Sequence, residues 1–327
     1  MSTSGTVTAF TVTRNELIRQ AALDVGAIAA GVPLNATQLN DFVFLLNSMI
    51  AEWSTRGIKV WTVKEALLFP VSGQRRYKIG GTTGNAHCCD GDVVVKTTLA
   101  ADAAAAATAL TVTSDDGITD GWQVGIMLES GDFHWSTVSG APAGDVVTIA
   151  GGLASSAVSG AALYAYPADI EKPIRITEAR RVAVSDGRRV PFVRMYAHKD
   201  FMELPDADST GAPYAPYYDR QLDAGYLSLI PPPANPTEDL IGFTWHRGIE
   251  DFTAAGDNPA MPKEWVNCLQ TNLAAKMLPR YPNPVRKDLI LNAAAESLDA
   301  MSGMDREEEA VFFQPEPMGS STGPWGS

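Results

Sequence analysis

The sequence predicts an α+β protein in which N- and C-terminal helices pack as one helical body with a small antiparallel sheet, and an all-β barrel or sandwich domain is inserted. Three observations support this class. Apolar residues recur at helical spacing near both ends of the 327-residue chain. Between the ends, apolar and polar residues alternate as in half-buried strands. Residues 84–167 differ from both flanks, being rich in Ala, Gly, Thr, Val and Asp, with Lys96 as their single lysine or arginine.

The first helix is predicted over residues 14–25. Thr13 and Glu16 form a capping box, in which the hydroxyl and the carboxylate satisfy amide donors that a helix start leaves unpaired. Gly26 then provides the left-handed residue at which helices commonly end. The apolar residues between these signals fall on one stripe of the helix surface.

A second helix, over residues 36–56, is predicted to start with the same device, formed by Asn35 and Gln38, and to end at Gly57. Its apolar residues recur at helical spacing along its whole length. A stripe of this length needs an apolar partner. The next long helical pattern in the chain begins at Pro262.

Two helices are predicted at the other end of the chain, over residues 262–278 and 284–302. Pro262 and Pro284 mark their starts, because proline fits the first turn of a helix. We expect these helices to pack against the N-terminal pair. The predicted core of this helical body comes from both ends of the chain and consists of Leu17, Ile18, Val25, Phe42, Leu46, Met49, Trp53, Trp265, Leu269 and Leu273.

Strand periodicity, interrupted by turn residues, occupies the parts of the chain that flank the insertion. The predicted elements are strands within residues 58–79, a β-hairpin at 181–193, a short helix at 198–204, and strands at 226–230 and 240–245. A proline- and tyrosine-rich loop with Tyr214, Tyr217 and Tyr218 is expected after the short helix.

The insertion is predicted to be a domain of its own. Its strands begin roughly every 10 to 15 residues, a spacing that favours a small barrel or sandwich. These strands are expected at residues 109–113, 123–128, 133–138, 145–149 and 162–166. The predicted divisions are a body of residues 1–83 and 168–303, an inserted β domain of residues 84–167, and a flexible tail of residues 304–327.

The composition limits the classes of function. A formal net charge of −13 argues against a sequence-reading nucleic-acid-binding protein, because such proteins gain most of their affinity by neutralising phosphates. The same charge is compatible with a conduit that surrounds DNA without gripping it. Three cysteines do not describe a disulfide framework, which favours a reducing compartment. The chain lacks a long apolar run and a signal sequence, so we expect a protein of the cytoplasm with no membrane anchor.

The sequence offers no convincing catalytic, cofactor-binding or metal-binding set, and we predict none. His87, Cys88, Cys89 and Asp90 are potential ligands, but adjacent residues rarely close on one ion and a second ligand pair is lacking. The glycine-rich turns lack the spacing of phosphate-binding motifs. Carboxylates are plentiful, but glycoside hydrolysis needs a placed pair that sequence alone does not define.

Two segments are candidate interaction sites. Arg180, Arg181, Arg188 and Arg189, in or directly before the predicted hairpin, form either a solvated sheet surface or a patch for a partner. The tail beyond residue 304 cannot bury enough apolar surface by itself to offset its ordering entropy. Its aromatic residues are either tolerated on a flexible chain or act as anchors on a partner, and they are Phe312, Phe313 and Trp325.

Segments at both ends of the chain, taken in their order and spacing, resemble the head-to-tail adaptor family (tail accessory factors) of short-tailed bacteriophages. The segments are residues 13–18, 45–53, 57–62, 77–80, 172–176 and 262–265. Residues 77–80 and 172–176 look like two pieces of one family segment that the insertion holds apart. The insertion lies outside this resemblance, although it looks like a β domain common in phage virion proteins.

The resemblance implies a structural, non-enzymatic virion protein of the head–tail junction, assembled in the host cytoplasm. In relatives, a dodecameric ring docks under the portal protein, extends the DNA channel, helps retain packaged DNA and forms a platform for tail tube, needle or fibre proteins. Carried over to this chain, the helical segments would form the ring body, and Phe312, Phe313 and Trp325 would dock on the portal. Genomic DNA would pass through the channel during ejection without sequence-specific binding.

Two other functions stay open at the level of sequence. One is a virion-associated peptidoglycan hydrolase, which would need a carboxylate pair in a cleft. The other is a carbohydrate-binding β-module on a helical stalk.

Overall fold

The structure, a computed structural model, describes residues 12–56, 63–81, 84–192, 194–204, 209–248, 252–254, 256–257 and 261–304. The helices are α1 (Arg14–Val25), α2 (Ala36–Arg56), α3 (His198–Met202), α4 (Val266–Met277) and α5 (Lys287–Met304), and a 3-10 turn at Lys263–Trp265 leads into α4. The strands are β1 (Val63–Leu68), β2 (Arg76–Ile79), β3 (Cys88–Asp90), β4 (Val95–Thr98), β5 (Ala109–Thr111), β6 (Gln123–Met127), β7 (Phe133–Thr137), β8 (Val146–Thr148), β9 (Ala162–Tyr166), β10 (Arg175–Ala183), β11 (Arg189–Pro191), β12 (Ala215–Arg220), β13 (Gly225–Ile230) and β14 (Asp239–His246).

These elements confirm the predicted α+β class, and the named strands pair in antiparallel fashion. The four sheets have the strand orders β11-β10-β14-β1-β3, β12-β13-β2, β4-β9-β6-β7 and β5-β8. Within the described residues the strands of the insertion do not close into a barrel. Strands β4, β9, β6 and β7 form an open four-stranded sheet and β5 with β8 a two-stranded ribbon, whereas β3 joins the five-stranded sheet through β1.

Local sequence signals set the starts of α1 and α2. The backbone amide of Glu16 donates to the Thr13 hydroxyl at 3.4 Å. At the other end of α1, Gly26 has a φ of 81°, the left-handed conformation expected of a terminating glycine. The backbone amide of Gln38 donates to the Asn35 side chain at 2.8 Å, and the Asn35 amide donates back to the Gln38 side chain at 3.3 Å. Both predicted capping positions therefore act as helix starts.

The two ends of the chain share one apolar core around α4. Leu269 and Leu273 of α4 are fully buried in a cluster with residues of α1 and α2. Trp265, in the turn before α4, meets Trp53 of α2 edge to face, with ring centroids 5.8 Å apart. Aromatic pairs favour this arrangement. α5 contributes Ile290 to the same cluster.

Hydrogen bonds between distant segments surround this core. The side chain of Asn283, between α4 and α5, donates to the carbonyl of Val25 at 2.9 Å and so satisfies the end of α1. The side chain of Asn47 in α2 donates to the carbonyl of Phe252 at 3.2 Å and accepts from its amide at 3.1 Å. The second pair ties α2 to the segment that follows β14.

The five-stranded sheet is covered on both faces. On one face, Leu68 of β1 and Phe243 of β14 share a buried cluster with Tyr77 and Leu227 of the three-stranded sheet. On the other face, Leu240 belongs to a cluster with aromatic residues of the insertion. The insertion is therefore seated on the sheet of the body.

Some local predictions differ from the structure. The segment predicted as a proline- and tyrosine-rich loop contains β12, where Tyr217 and Tyr218 pair with β13. The partner strand decides this outcome, because strand preference depends on cross-strand packing more than on local sequence. The last helix begins at Lys287 rather than at residue 284. Gly57 and the strand expected from Ile58 lie outside the described residues.

The shared core predicts a specific stability loss. Leu273 is fully buried, so we expect Leu273→Ala to lower the free energy of unfolding by about 2 to 5 kcal/mol through lost apolar contact and the cavity left behind. Leu222→Ala is the matched control, because Leu222 is 91% exposed, and it should change stability by less than about 0.5 kcal/mol. Urea denaturation of the full chain measures both. Equal losses in the two variants would contradict a core centred on α4.

Candidate functional site

Among the terminal helices and the turns that join them, the most exposed large apolar side chains lie at two places. Phe44 of α2 is 67% exposed, although Phe42, two residues earlier, is fully buried. At the start of the last helix, Val285 is 89% exposed and Leu289 is 71% exposed. We call Phe44 the α2 surface, and Val285 with Leu289 the α5 surface. Covering apolar side chains that are exposed to this degree with a partner is favourable, because it removes their surface from water.

A groove of about 370 Å³ between α1, α4 and α5 extends the α5 surface. Leu289 and Ala274 contribute apolar atoms to its wall. Asp24 and Gln270, which also line the groove, are joined by a hydrogen bond of 2.7 Å from the Gln270 amide to the Asp24 carboxylate. The mixture of apolar and polar groups suits contact with a protein segment.

The structure places the predicted core residues inside the helical body. Each of the ten has a relative exposure of 4% or less. These residues are Leu17, Ile18, Val25, Phe42, Leu46, Met49, Trp53, Trp265, Leu269 and Leu273. The predicted docking residues Phe312, Phe313 and Trp325 lie outside the described residues.

The structure does not bring the four predicted arginines together on one surface. Arg180 and Arg181 are neighbours in β10, so their side chains leave the strand on opposite faces. Arg180 pairs with Glu65 of β1, and Arg181 pairs with Asp239 at 3.1 Å. Residues 188–189, at the tip of the hairpin, are exposed. A partner role for these arginines stays a prediction, now confined to the hairpin tip.

Arg180 reaches Glu65 across β14, where Gly242 lies opposite it in the register. A Cβ atom added at Gly242 would lie 3.0 Å from a methyl group of Val182 and 3.5 Å from the Arg180 side chain. The missing side chain of Gly242 thus leaves the space through which the ion pair forms.

The path of the Arg180 side chain over Gly242 can be tested by adding one carbon atom at that glycine. We expect Gly242→Ala to lower the free energy of unfolding by about 1 to 3 kcal/mol, because the new methyl group displaces Val182 or Arg180 in a packed sheet. Gly248→Ala is the control, since its Cβ would have its nearest neighbour at 3.9 Å. It should change stability by less than about 0.5 kcal/mol. If the urea denaturation midpoint of Gly242→Ala equals that of wild type, the Arg180 side chain does not need the space above Gly242.

The contact between the insertion and the five-stranded sheet is built from aromatic rings. Phe69, which follows β1, lies with its ring centroid 4.9 to 6.1 Å from those of Phe133, Trp135, Tyr164 and Tyr166. We call these five residues the aromatic seam. Aromatic pairs contribute about 0.5 to 1.5 kcal/mol each beyond burial and favour defined geometries, so the seam fixes how the insertion sits.

A chain of hydrogen bonds adjoins the aromatic seam. The Tyr166 hydroxyl donates to the Asp169 carboxylate at 2.9 Å, and Nδ1 of His87 lies 3.0 Å from the same hydroxyl. Because the single proton of the hydroxyl goes to Asp169, Nδ1 of His87 carries the hydrogen that the hydroxyl oxygen accepts. The His87 ring also stacks on Trp135, with centroids 3.8 Å apart. The imidazole is therefore held in one tautomer and one orientation.

Burial controls the titration of the groups in this region. It lowers the pKa of His87, and the carboxylate of Asp169 partly opposes that shift. It raises the pKa of the Cys88 thiol, and it raises the pKa of Cys89 to about 12, so both thiols stay protonated and unreactive at neutral pH. Cys88 belongs to the cluster on one face of the sheet and Cys89 to the cluster on the other. Such adjacent side chains diverge, and the described residues contain no group of three His, Cys, Asp or Glu side chains that could hold a metal ion.

The pKa shift of His87 makes stability depend on pH. The stability that neutral His87 contributes is fully present above the ordinary histidine pKa of about 6.5. It is lost as the pH falls below that value, because His87 then binds a proton in the unfolded chain more readily than in the folded chain. We expect the urea midpoint of wild type to fall between about pH 7.5 and pH 5.5 by more than that of His87→Gln. The glutamine amide can still donate to Tyr166 but does not titrate. His198→Gln, which alters an exposed histidine, should keep the wild-type dependence, and identical profiles for wild type and His87→Gln would refute the assignment.

The aromatic seam and its hydrogen-bonded chain were not among the predicted sites. The available signal was a pair of short alternations, Phe133 with Trp135 and Tyr164 with Tyr166, each of which places two aromatic rings on one face of a strand. Such alternation predicts a buried face but does not identify what covers it.

The sequence matches no protein-family model and none of the curated protein sequences. Among the residues that the structure describes, no helix is long and apolar enough to cross a membrane.

Proposed function

We propose that the protein is a structural subunit of a phage head-to-tail adaptor ring at the head–tail junction of the virion. The ring docks beneath the portal protein, extends the DNA channel, helps retain packaged DNA and carries tail proteins. We assign the chain no catalytic step. Three features support the proposal: the order of the segments that resemble the adaptor family, the shared core of the two chain ends, and two exposed apolar surfaces on the helical body.

In this proposal the chain has an adaptor body, residues 1–83 and 168–303, and an inserted β domain, residues 84–167. The core around α4 supports a rigid body made from both chain ends. A separate apolar cluster supports an independent insertion, since its buried members lie between Leu99 and Ala165. The two units then meet at the aromatic seam.

The observation that carries the proposal is the presence of two different apolar surfaces on the helical body. A ring closes through heterologous contacts, in which one surface of a subunit meets a different surface of the next. The α2 surface and the α5 surface offer such a pair, and covering them would remove apolar area from water. A two-fold dimer would instead pair one surface with itself.

Charge and tail composition support the remaining parts of the assembly. A net charge of −13 suits a passage through which DNA slides, because repulsion prevents tight binding to phosphates. The aromatic residues of the tail, Phe312, Phe313 and Trp325, are proposed to dock on the portal. A segment that orders only on its partner is suited to assembly on a preformed surface.

Electron microscopy of the full chain mixed with its portal protein tests the proposal. The expected result is an added collar beneath the portal, with a continuous central channel and dodecameric symmetry in averaged views. Intact portals accompanied by unattached subunits would refute it. A cell-wall degradation assay on the same preparation examines the enzymatic alternative, which requires activity that is lost when one carboxylate is replaced by an amide.

Substitutions at the two surfaces are expected to weaken ring closure. Full burial of a leucine or phenylalanine side chain contributes about 1.5 to 3 kcal/mol, so Phe44→Ser and Leu289→Ser should each raise the subunit dissociation constant about 10- to 100-fold. Sedimentation of the assembled collar measures the loss, and circular dichroism verifies that the variants are folded. Leu222→Ser, which alters an exposed leucine between β12 and β13, should assemble as wild type. Wild-type assembly of both surface variants would refute the proposed contact.

Mixing the two variants separates a heterologous contact from a two-fold one. The Phe44→Ser chain keeps its α5 surface, and the Leu289→Ser chain keeps its α2 surface, so one intact contact can form between them. The mixture should therefore yield dimers without closed rings. Recovery of complete rings in the mixture would show that the two surfaces do not meet each other.

A further inference from the structure

Two helices form most of the wall of the groove of about 370 Å³ that extends the α5 surface. Each helix lines the groove with residues at positions i, i+3, i+4 and i+7, which share one face of a helix. These residues are Asn267, Gln270, Thr271 and Ala274 of α4, and Arg286, Leu289, Ile290 and Ala293 of α5. The groove therefore follows the line where two packed helices meet, and it is open to a side chain of a partner.

Most polar groups of the groove already have partners within the chain. The Gln270 amide donates to the Asp24 carboxylate at 2.7 Å, and the Thr271 hydroxyl donates to the carbonyl of Asn267 at 2.9 Å. The Arg286 guanidinium donates to the carbonyl of Asp24 at 3.2 Å. A polar ligand would therefore gain few hydrogen bonds here. Apolar surface is what the wall still offers, so the groove favours an apolar occupant.

Phe44 is the side chain of this protein that best suits an apolar groove. It is 67% exposed, and it is the only exposed phenylalanine or tryptophan among the residues that the structure describes. The described residues that line the groove include none from α2, so Phe44 does not fill the groove of its own chain. A cavity of about 150 Å³ is enough to hold a benzene ring, and the groove is larger than that.

Helix α2 presents Phe44 on a rigid face that carries little unpaired charge. The opposite side of the helix is buried in the shared core, which fixes its position. One turn away from Phe44, the exposed residues are Asn40 and Ser48, which are uncharged, and Asp41, which pairs with Arg280 at 3.5 Å. A rigid aromatic side chain loses little conformational entropy on burial, and uncharged neighbours cost little to desolvate.

The fit between one exposed ring and one apolar groove defines a contact between copies of the chain. We propose that Phe44 of each subunit inserts into the groove between α1, α4 and α5 of the next subunit. This inference rests on the proposed ring, and it adds the place where the α2 surface is seated. Each subunit then supplies one ring and one groove, so the contact is heterologous and can repeat around an axis.

Filling the groove tests the proposal, because it adds apolar surface while it removes the seat of Phe44. We expect Ala293→Phe to raise the subunit dissociation constant about 10- to 100-fold, the loss expected when a phenylalanine is no longer buried. Ala295→Phe is the matched control, because Ala295 is exposed on the same helix and does not line the groove. It should assemble as wild type. Sedimentation measures assembly, and circular dichroism verifies folding.

The direction of this effect separates a seat from a merely adhesive surface. If exposed apolar area alone held the subunits together, the added ring of Ala293→Phe would strengthen assembly. Strengthened or unchanged assembly would therefore overturn the proposal. In the double variant Phe44→Ser with Ala293→Phe, both changes remove the same contact, so assembly should be about as weak as in either single variant. Losses that multiply would also overturn it.

Photo-crosslinking from position 44 locates the seat directly and does not need the portal protein. Phe44 is replaced by p-benzoylphenylalanine, and the chain is irradiated at high concentration. We expect covalent dimers whose crosslinks, mapped by mass spectrometry, fall within residues 267–274 or 286–293. Crosslinks that fall only elsewhere, or only within one chain, would overturn the proposal, and this result decides the outcome if Ala293→Phe does not fold.

The crosslinks also separate this inference from the proposed function. A collar beneath the portal without crosslinks in the groove would refute the seat of Phe44 and leave the adaptor function standing. Crosslinks in the groove without a collar would support the contact between copies and refute the adaptor function. Absence of both would refute both.

Discussion

The packing of α4 against α1 and α2 is the contact on which the rest of the structure depends. Glu52 and Lys276, 224 residues apart in sequence, form an ion pair at its edge. The same return of the chain brings β14, which precedes α4, beside β1, which follows α2. Helix packing and sheet register are therefore both set when the C-terminal part of the chain returns to the N-terminal part. The entropy of closing so long a loop is offset by the apolar core that both ends build together.

The two ends of the insertion lie next to each other on the body. Cys89 and Asp169 form an isolated antiparallel bridge, so the chain leaves the body and returns to it at nearly the same place. An insertion whose ends are adjacent disturbs its host little, because it spans no distance that the host must accommodate. His87 and Tyr166 lie at these two ends and are hydrogen-bonded to each other. The hydrogen-bonded chain of His87, Tyr166 and Asp169 thus lies where the insertion joins the sheet, and it fixes the orientation of the insertion there.

Signals that act over a few residues were sufficient for much of the secondary structure. Capping residues and apolar spacing predicted α1 and the start of α2, and the buried stripes of α1, α2 and α4 could be read from the sequence, whereas Leu291 of the stripe expected in the last helix is 42% exposed. Features that depend on a distant partner were not predicted. Arg180 reaches Glu65 because Gly242 lies between them, and Phe69 meets rings that follow it by more than sixty residues. Periodicity indicates that a face is buried, but it does not identify the partner that covers it.

The position of the insertion separates the surfaces of the helical body from those of the sheet. The insertion packs on the five-stranded sheet through the aromatic seam, and the core of the helical body contains no residue of the insertion among those described. The α2 and α5 surfaces belong to the helical body, whereas a cavity lined by Phe69 and Tyr77 lies where the sheet meets the insertion. Because packing energies fall off over the distance of direct contact, changes at the cavity should act on the helical surfaces nearly additively. A protein with this topology could gain or lose surface chemistry on its sheet while its helices keep the contacts proposed to close the ring.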